Sequence, residues 1–206
     1  MRPSSNHSLS LRAKRSNPTL LSISGDYHGI LCLTMTIYIP AVEDESYQFQ
    51  INSIVSSARG AYILLVKLDT KKTITVGNLR TISFPEGFYA YLGSALGGFK
   101  SRINRHLTED KKPKWHIDYL LNEARVLQVI LYETEQRLEC LLSQALTNEL
   151  PCIPDFGSSD CQCRSHLYFA TDRPSLEINI SQAIAQLTAP EEHKKGGDMI
   201  LRGIRN

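Results

Sequence analysis

The sequence predicts an α/β (α+β) fold: a small mixed, mainly antiparallel sheet flanked by helices, with an inserted β-hairpin. Three observations carry this expectation. Short apolar runs rich in β-branched and aromatic residues lie between turn residues at 60–69, 88–93 and 125–132. A Gly77-Asn78 pair separates two further β-forming stretches, a tight-hairpin signal. After Gly97-Gly98 the apolar period becomes helical, with Leu96, Phe99, Ile103 and Leu107 on one stripe.

Residues 1–34 are rich in Ser, Asn and Arg, with four basic residues (Arg2, Arg12, Lys14, Arg15) against Asp26. Such a segment buries too little apolar surface to offset its ordering entropy. The expectation is therefore a disordered N-terminal extension over 1–58, and Met35 opens a second plausible start. Residues 41–58 read as a polar linker with one helical turn near 51–55. Residues 60–69 form a buried strand. The stretches TITV and LRTISF form the hairpin, and FYAYLG is the next strand. A helix over 96–108 follows, then a charged loop, a short helix over 115–121 and a strand over 125–132. Thr134 is the expected N-cap of a helix reaching about 149, through Leu138, Leu141, Leu142, Ala145 and Leu146. A loop over 150–165 leads to a strand over 166–170. Ser175 is the expected cap of a last helix, and 190–206 is a polar tail. The domain itself is expected over 59–170, and 171–206 is a helix with a tail.

Composition narrows the function classes. The chain has 206 residues, 42% apolar and 21% charged, which excludes a wholly disordered or collagen-like protein. A net charge of +2 decides nothing about nucleic acid. Five cysteines are odd in number and sparse, which fits a reducing cytoplasm better than a disulfide scaffold. The longest nearly apolar stretch, Gly29–Pro40, falls short of the ~18 residues that span a membrane. It also lacks the placement of a signal peptide. No membrane partner is expected, and oligomeric state is not legible.

Chemistry-bearing residues concentrate between Tyr89 and His116. Arg102 and His106 flank the apolar stripe of their helix, one turn apart. Arg105 is expected to point further towards solvent. Between Lys100 and Lys114 stand six basic residues (Lys100, Arg102, Arg105, Lys111, Lys112, Lys114) against Glu109 and Asp110. Phosphate is the natural counterpart of such a run; a solvated helix face is the plainer alternative. Glu139 borders the apolar stripe of the later helix, where a carboxylate can reach a cleft, and Glu135 competes one turn earlier.

Gly60-Ala61-Tyr62 and Tyr91-Leu92-Gly93 resemble the two signature tripeptides of the GIY-YIG nuclease superfamily. The segment GSALGGFKSRINRHL resembles the helix that carries that family's essential Arg, and Glu139 falls where its metal-binding Glu is expected. WHIDYLL, RLECLLSQAL and FGSSDCQCRSHLYF resemble the Uri-type branch, and the likeness spans about residues 59–170. Ala61 and Leu92 each stand in place of an Ile. The Tyr62–Tyr91 interval is longer than in the minimal domain, and the hairpin accounts for the excess. The family's late Asn has no clear counterpart, and Ser158, Ser159 or Asp160 stands in that region.

The resemblance implies Mg²⁺- or Mn²⁺-dependent hydrolysis of phosphodiester bonds in DNA, with RNA as the other nucleic acid considered. Tyr62 or Tyr91 would be the general base. Phenols titrate near 10, so a cation is needed to favour phenolate, and Arg102 and His106 are the candidates. Arg102 would also stabilise the transition state, Glu139 would hold the metal, and His116 would line the cleft and share in proton transfer. Lys100, Arg105, Lys111, Lys112 and Lys114 would bind phosphate. The alternative function is a non-catalytic nucleic-acid-binding module on the same fold.

Cys161-Gln162-Cys163-x-x-His166 could supply three zinc ligands, with Cys152 or Cys140 as a fourth. The spacing is not a common zinc pattern, so loop packing is expected and a structural Zn²⁺ is not. A Cys nucleophile paired with His166 is weaker still, for want of an oxyanion-stabilising motif.

Overall fold

A computed structural model describes residues 21–27, 30–38 and 58–188. The strands are β1 (Leu21–Tyr27), β2 (Ile30–Tyr38), β3 (Gly60–Leu68), β4 (Lys72–Val76), β5 (Arg80–Phe84), β6 (Gly87–Ala95), β7 (Arg125–Glu133) and β8 (Leu167–Ala170). The helices are α1 (Phe99–Leu107), α2 (His116–Leu121), α3 (Leu138–Leu146) and α4 (Arg173–Thr188). Six strands form one sheet in the order β1-β2-β7-β3-β6-β8, and each pairing is antiparallel. The β4–β5 hairpin stands apart, turning at Gly77, whose φ of 47° suits glycine. The chain is thus an α+β protein with a mainly antiparallel sheet flanked by helices.

Helices on both faces explain why β3 reads as an unbroken apolar run rather than an alternating one. Its even-numbered side chains (Tyr62, Leu64, Val66, Leu68) pack with α1, α2 and the hairpin. Its odd-numbered ones (Ile63, Leu65) pack with Leu142 and Leu146 of α3 and Leu176 and Ile180 of α4. This is the period-2 rule of a strand applied to two apolar layers. From Ala61 to Val66 no side chain is more than 2% exposed.

Several expectations change. β1 and β2 lie within the segment expected to be a disordered extension. Ile30–Tyr38 is rich in β-branched and aromatic residues, and β2 pairs along the edge of β7 from Leu33↔Glu133 to Tyr38↔Gln128. Strand propensity of this kind is realised only when a distant edge is available, which local patterning does not show. The remainder of 1–57, including the expected turn near 51–55, and the tail beyond 188 lie outside the described residues. Thr134 does not cap α3: its Oγ1 accepts the N–H of Gln136, and the helix begins at Leu138. Ser175 does not cap α4 either. Asp172 does so, its Oδ1 accepting the Ser175 N–H at 2.8 Å and its Oδ2 the Ser175 hydroxyl.

Candidate active site

The register of β3 on β6 places Tyr62 opposite Gly93 and Leu64 opposite Tyr91. Tyr62 and Tyr91 are therefore diagonal neighbours on one face, with ring centroids 6.4 Å apart. Gly93 is what lets Tyr62 lie there. A Cβ at that position would run into the ring and hydroxyl of Tyr62. The helix α1 starts where Phe99 donates its N–H to Ala58 O, and this sets His106 above the pair. Tyr62 Oη and His106 Nε2 are 2.7 Å apart in a buried hydrogen bond. Burial pushes the His106 pKa down to about 3, with Lys111, Arg102 and Arg105 adding to the shift and Asp118 opposing it. The ring is thus neutral, which corrects the expectation that it supplies a cation. Its Nδ1 is buried without a hydrogen-bond partner among the described residues. A bare lone pair is tolerated there better than an orphaned N–H. The favoured tautomer therefore carries the proton on Nε2, and His106 donates to Tyr62 Oη.

Arg102 lies over the Trp115 ring, 4.4 Å from its centroid. Trp115 is held in turn by Asp118, a fully buried carboxylate. Asp118 Oδ2 accepts the N–H groups of Lys114 (2.9 Å) and Trp115 (3.0 Å) and a 2.7 Å bond from Arg105 Nη2. Lys111 Nζ lies 3.9 Å from Oδ1 and also donates to the carbonyls of Arg105 and His106. Burial would raise the Asp118 pKa, but the two N–H groups and Arg105 outweigh it and hold it below the usual value. Arg105 and Lys111 were expected to face phosphate. They are instead tied to Asp118, and the Lys111 side chain is only 8% exposed. Lys100, Lys112 and Lys114 are exposed.

Glu139 is buried in the first turn of α3. Its Oε2 has no hydrogen-bond partner among the described residues. Burial raises its pKa, and the nearby Asp160 carboxylate adds to the shift. Burial likewise raises both phenols. In each case the Arg102 charge pulls the pKa down while Glu139 and Asp118 push it up. Arg102 and Glu139 thus lie close enough to both tyrosines to act on their ionisation. Asp160 acts on Tyr91 and Glu139, so a second carboxylate joins the group. Glu135 pairs with Arg59 at the surface instead. His116 Nδ1 accepts the Gly157 N–H at 3.0 Å, and its ring meets Phe156 edge-on. It fixes the 156–157 loop beside Tyr91.

The Cys residues assemble as well. Cys140, Cys161, Cys163 and His166 have their ligand atoms within 4.8 Å of one another, whereas Cys152 stands outside that group. Burial raises the Cys161 pKa, so its sulfur is a thiol rather than a thiolate, which disfavours a nucleophile.

The family model for DUF123, a domain of unknown function, matches residues 61–189. The chain belongs to the DUF123 family. No curated protein and no solved structure matches it. The DUF123 match starts at the residue before Tyr62 and takes in Tyr62, Tyr91, Arg102, His106, Asp118, Glu139 and the Cys–His cluster, while β1 and β2 lie outside it. Sequence reasoning overlooked the roles of Trp115 and Asp118. An Asp three residues after the indole was the available signal, because a carboxylate there can accept the N–H groups that open a helix.

Proposed function

We propose that this DUF123 chain is a metal-dependent endonuclease that hydrolyses phosphodiester bonds in DNA, in the manner of the GIY-YIG enzymes that its motifs resemble. The observation that supports the proposal is the pairing of Tyr62 with Tyr91 on one face of the sheet, near enough to Arg102 and Glu139 for both charges to act on the two phenols. Binding alone would not require two phenols, a guanidinium and an unpartnered buried carboxylate together. Mg²⁺ fits the donors present. Glu139 Oε2 is buried and lacks a partner among the described residues, Asp160 is a second carboxylate nearby, and Mg²⁺ takes one or two carboxylates with waters and phosphate. When bound, the ion supplies positive charge that neutralises the leaving oxygen and favours ionisation beside it.

The chain's own residues do the rest. Tyr62 takes the proton of the attacking water at Oη as the phenolate, its own proton having first left to solvent against the pull of burial. His106, donating from Nε2, stabilises the phenolate form, and Arg102 favours that form by its charge. Tyr91 lies beside Tyr62 as the second phenol of the cleft. Arg102, held over the Trp115 ring, also stabilises the negative charge that builds on the phosphoryl oxygens. Lys100, Lys112 and Lys114 hold the flanking phosphates. The test is plasmid nicking with Mg²⁺, with Mn²⁺ and with EDTA, beside Glu139→Gln. Nicking that requires the ion and is lost in the variant supports the proposal. Salt-sensitive DNA binding without cutting would replace it with a binding module.

A further inference from the structure

Residues 147–166, between α3 and β8, contain no helix or strand. Irregular segments longer than about 12–15 residues are uncommon in a compact domain unless something fixes them. Here backbone contacts fix part of the segment: Asp155 donates its N–H to Arg164 O, and His166 to Phe156 O, each at 2.8 Å. The stretch 158–163 carries Cys161 and Cys163 and makes a single backbone bond in that set, from Cys161 to Ser158. These two sulfurs meet Cys140 from the first turn of α3 and His166 from the end of the loop.

We infer that Cys140, Cys161, Cys163 and His166 form a structural Zn²⁺ site that clamps α3 to this loop. A tetrahedron with Zn–S of about 2.3 Å and Zn–N of about 2.0–2.1 Å has edges of roughly 3.6–3.8 Å. The four ligand atoms lie within 4.8 Å of each other, and Cys161 Sγ is 3.5 Å from His166 Nε2, close to one such edge. Cys140, Cys152, Cys161 and Cys163 are all free, with no disulfide among them. Beyond their contacts with one another and with His166, the thiols have long, weak acceptors: Ser158 O at 3.7 Å from Cys161 and Cys140 O at 3.9 Å from Cys163. The cysteines are half-buried and the imidazole is buried. Three thiols and one imidazole are a soft donor set suited to Zn²⁺ and not to Mg²⁺. Four protein ligands close the coordination sphere, so the role is structural. Zn²⁺ replaces three thiol protons, which leave to solvent, and His166 binds neutral. The clamp has a second consequence, because Cys140 follows Glu139 and Cys161 follows Asp160: the metal would lock both carboxylates in place. The site stands independently of the proposed nuclease activity.

The full chain, purified without chelator, is expected to carry about one zinc per molecule by elemental analysis. Co²⁺ exchanged into it is expected to give the intense visible bands of a tetrahedral ion and a thiolate charge-transfer band. Cys163→Ser should lose both signals, and Cys152→Ser should keep both. Should Cys163→Ser not fold, Co²⁺ titration of the stripped wild-type chain decides. Uptake at one equivalent, or refolding driven by Zn²⁺, supports the site. A folded, reduced, metal-free chain that shows no charge-transfer band on titration would overturn it. So would an intact mass that shows a disulfide among these cysteines.

Discussion

Asp118→Asn is the substitution most exposed to refutation. The carboxylate is fully buried and neutralises two cations while it accepts the N–H groups of Lys114 and Trp115. Breaking a buried pair by removing one partner costs about 3–5 kcal/mol. Arg105 is 27% exposed and can swing out to water, whereas Lys111 at 8% cannot do so easily, so the lower end applies, about 3 kcal/mol. For a chain of this size that corresponds to a fall in the thermal midpoint of roughly 6–12 °C at pH 7. The native carboxyl titrates below its unfolded value. Its stabilisation is therefore complete above the unfolded pKa of about 3.9 and fades as the pH falls through the lower native value. The gap between wild type and variant should narrow in acid. Calorimetry across pH 3 to 7 measures both effects (a range chosen about the reference value). A midpoint within about 2 °C of wild type at pH 7, or a gap that persists unchanged in acid, refutes the reasoning.

Glu139→Gln should raise stability while abolishing cleavage. The folded chain holds this carboxyl above its ordinary pKa, so its ionisation opposes folding at neutral pH, and that penalty disappears as the pH falls through the native value. A gain of about 1 kcal/mol is expected by thermal denaturation without divalent ion, and Mg²⁺ should stabilise the wild type alone. Lys112→Ala should reduce the salt slope of DNA binding by roughly 0.9, because an exposed phosphate contact is lost. Lys111→Ala should leave that slope unchanged and lower the thermal midpoint, which fluorescence anisotropy and calorimetry together resolve. Gly93→Ala forces a methyl into the Tyr62 ring. It should cost about 1–3 kcal/mol by denaturant titration and displace Tyr62 from His106.

Much of the domain was legible locally. The buried run of β3, the Gly77-Asn78 hairpin and the stripe through Phe99 and Ile103 each express their structure within a few residues. Tyr62, Tyr91, Arg102 and Glu139 could be named because their motifs stand in a characteristic order. What stayed hidden depends on distant partners. The strand β2 needs the edge of β7, which for the Leu33–Glu133 pair lies one hundred positions along the chain. Arg105 and Lys111 look like solvated cations in a Lys-rich loop until Asp118 is folded between them. Cys140 is remote in sequence from Cys161, and only the return of the loop to α3 makes a four-ligand set. Ser175 failed as a cap because Asp172 offered the better acceptor, and Thr134 because its hydroxyl takes the Gln136 N–H ahead of a helix that begins only at Leu138.

The most direct measurement is single-turnover cleavage of plasmid DNA by the wild type, by Tyr62→Phe, Arg102→Ala and Glu139→Gln singly, and by the triple variant. Groups that act as one unit lose activity non-additively. Each single variant should fall by about 10²-fold or more, and the triple variant should be no slower than the worst single. Cleavage by the triple variant at the wild-type rate would contradict the assignment of this cleft as the hydrolytic site.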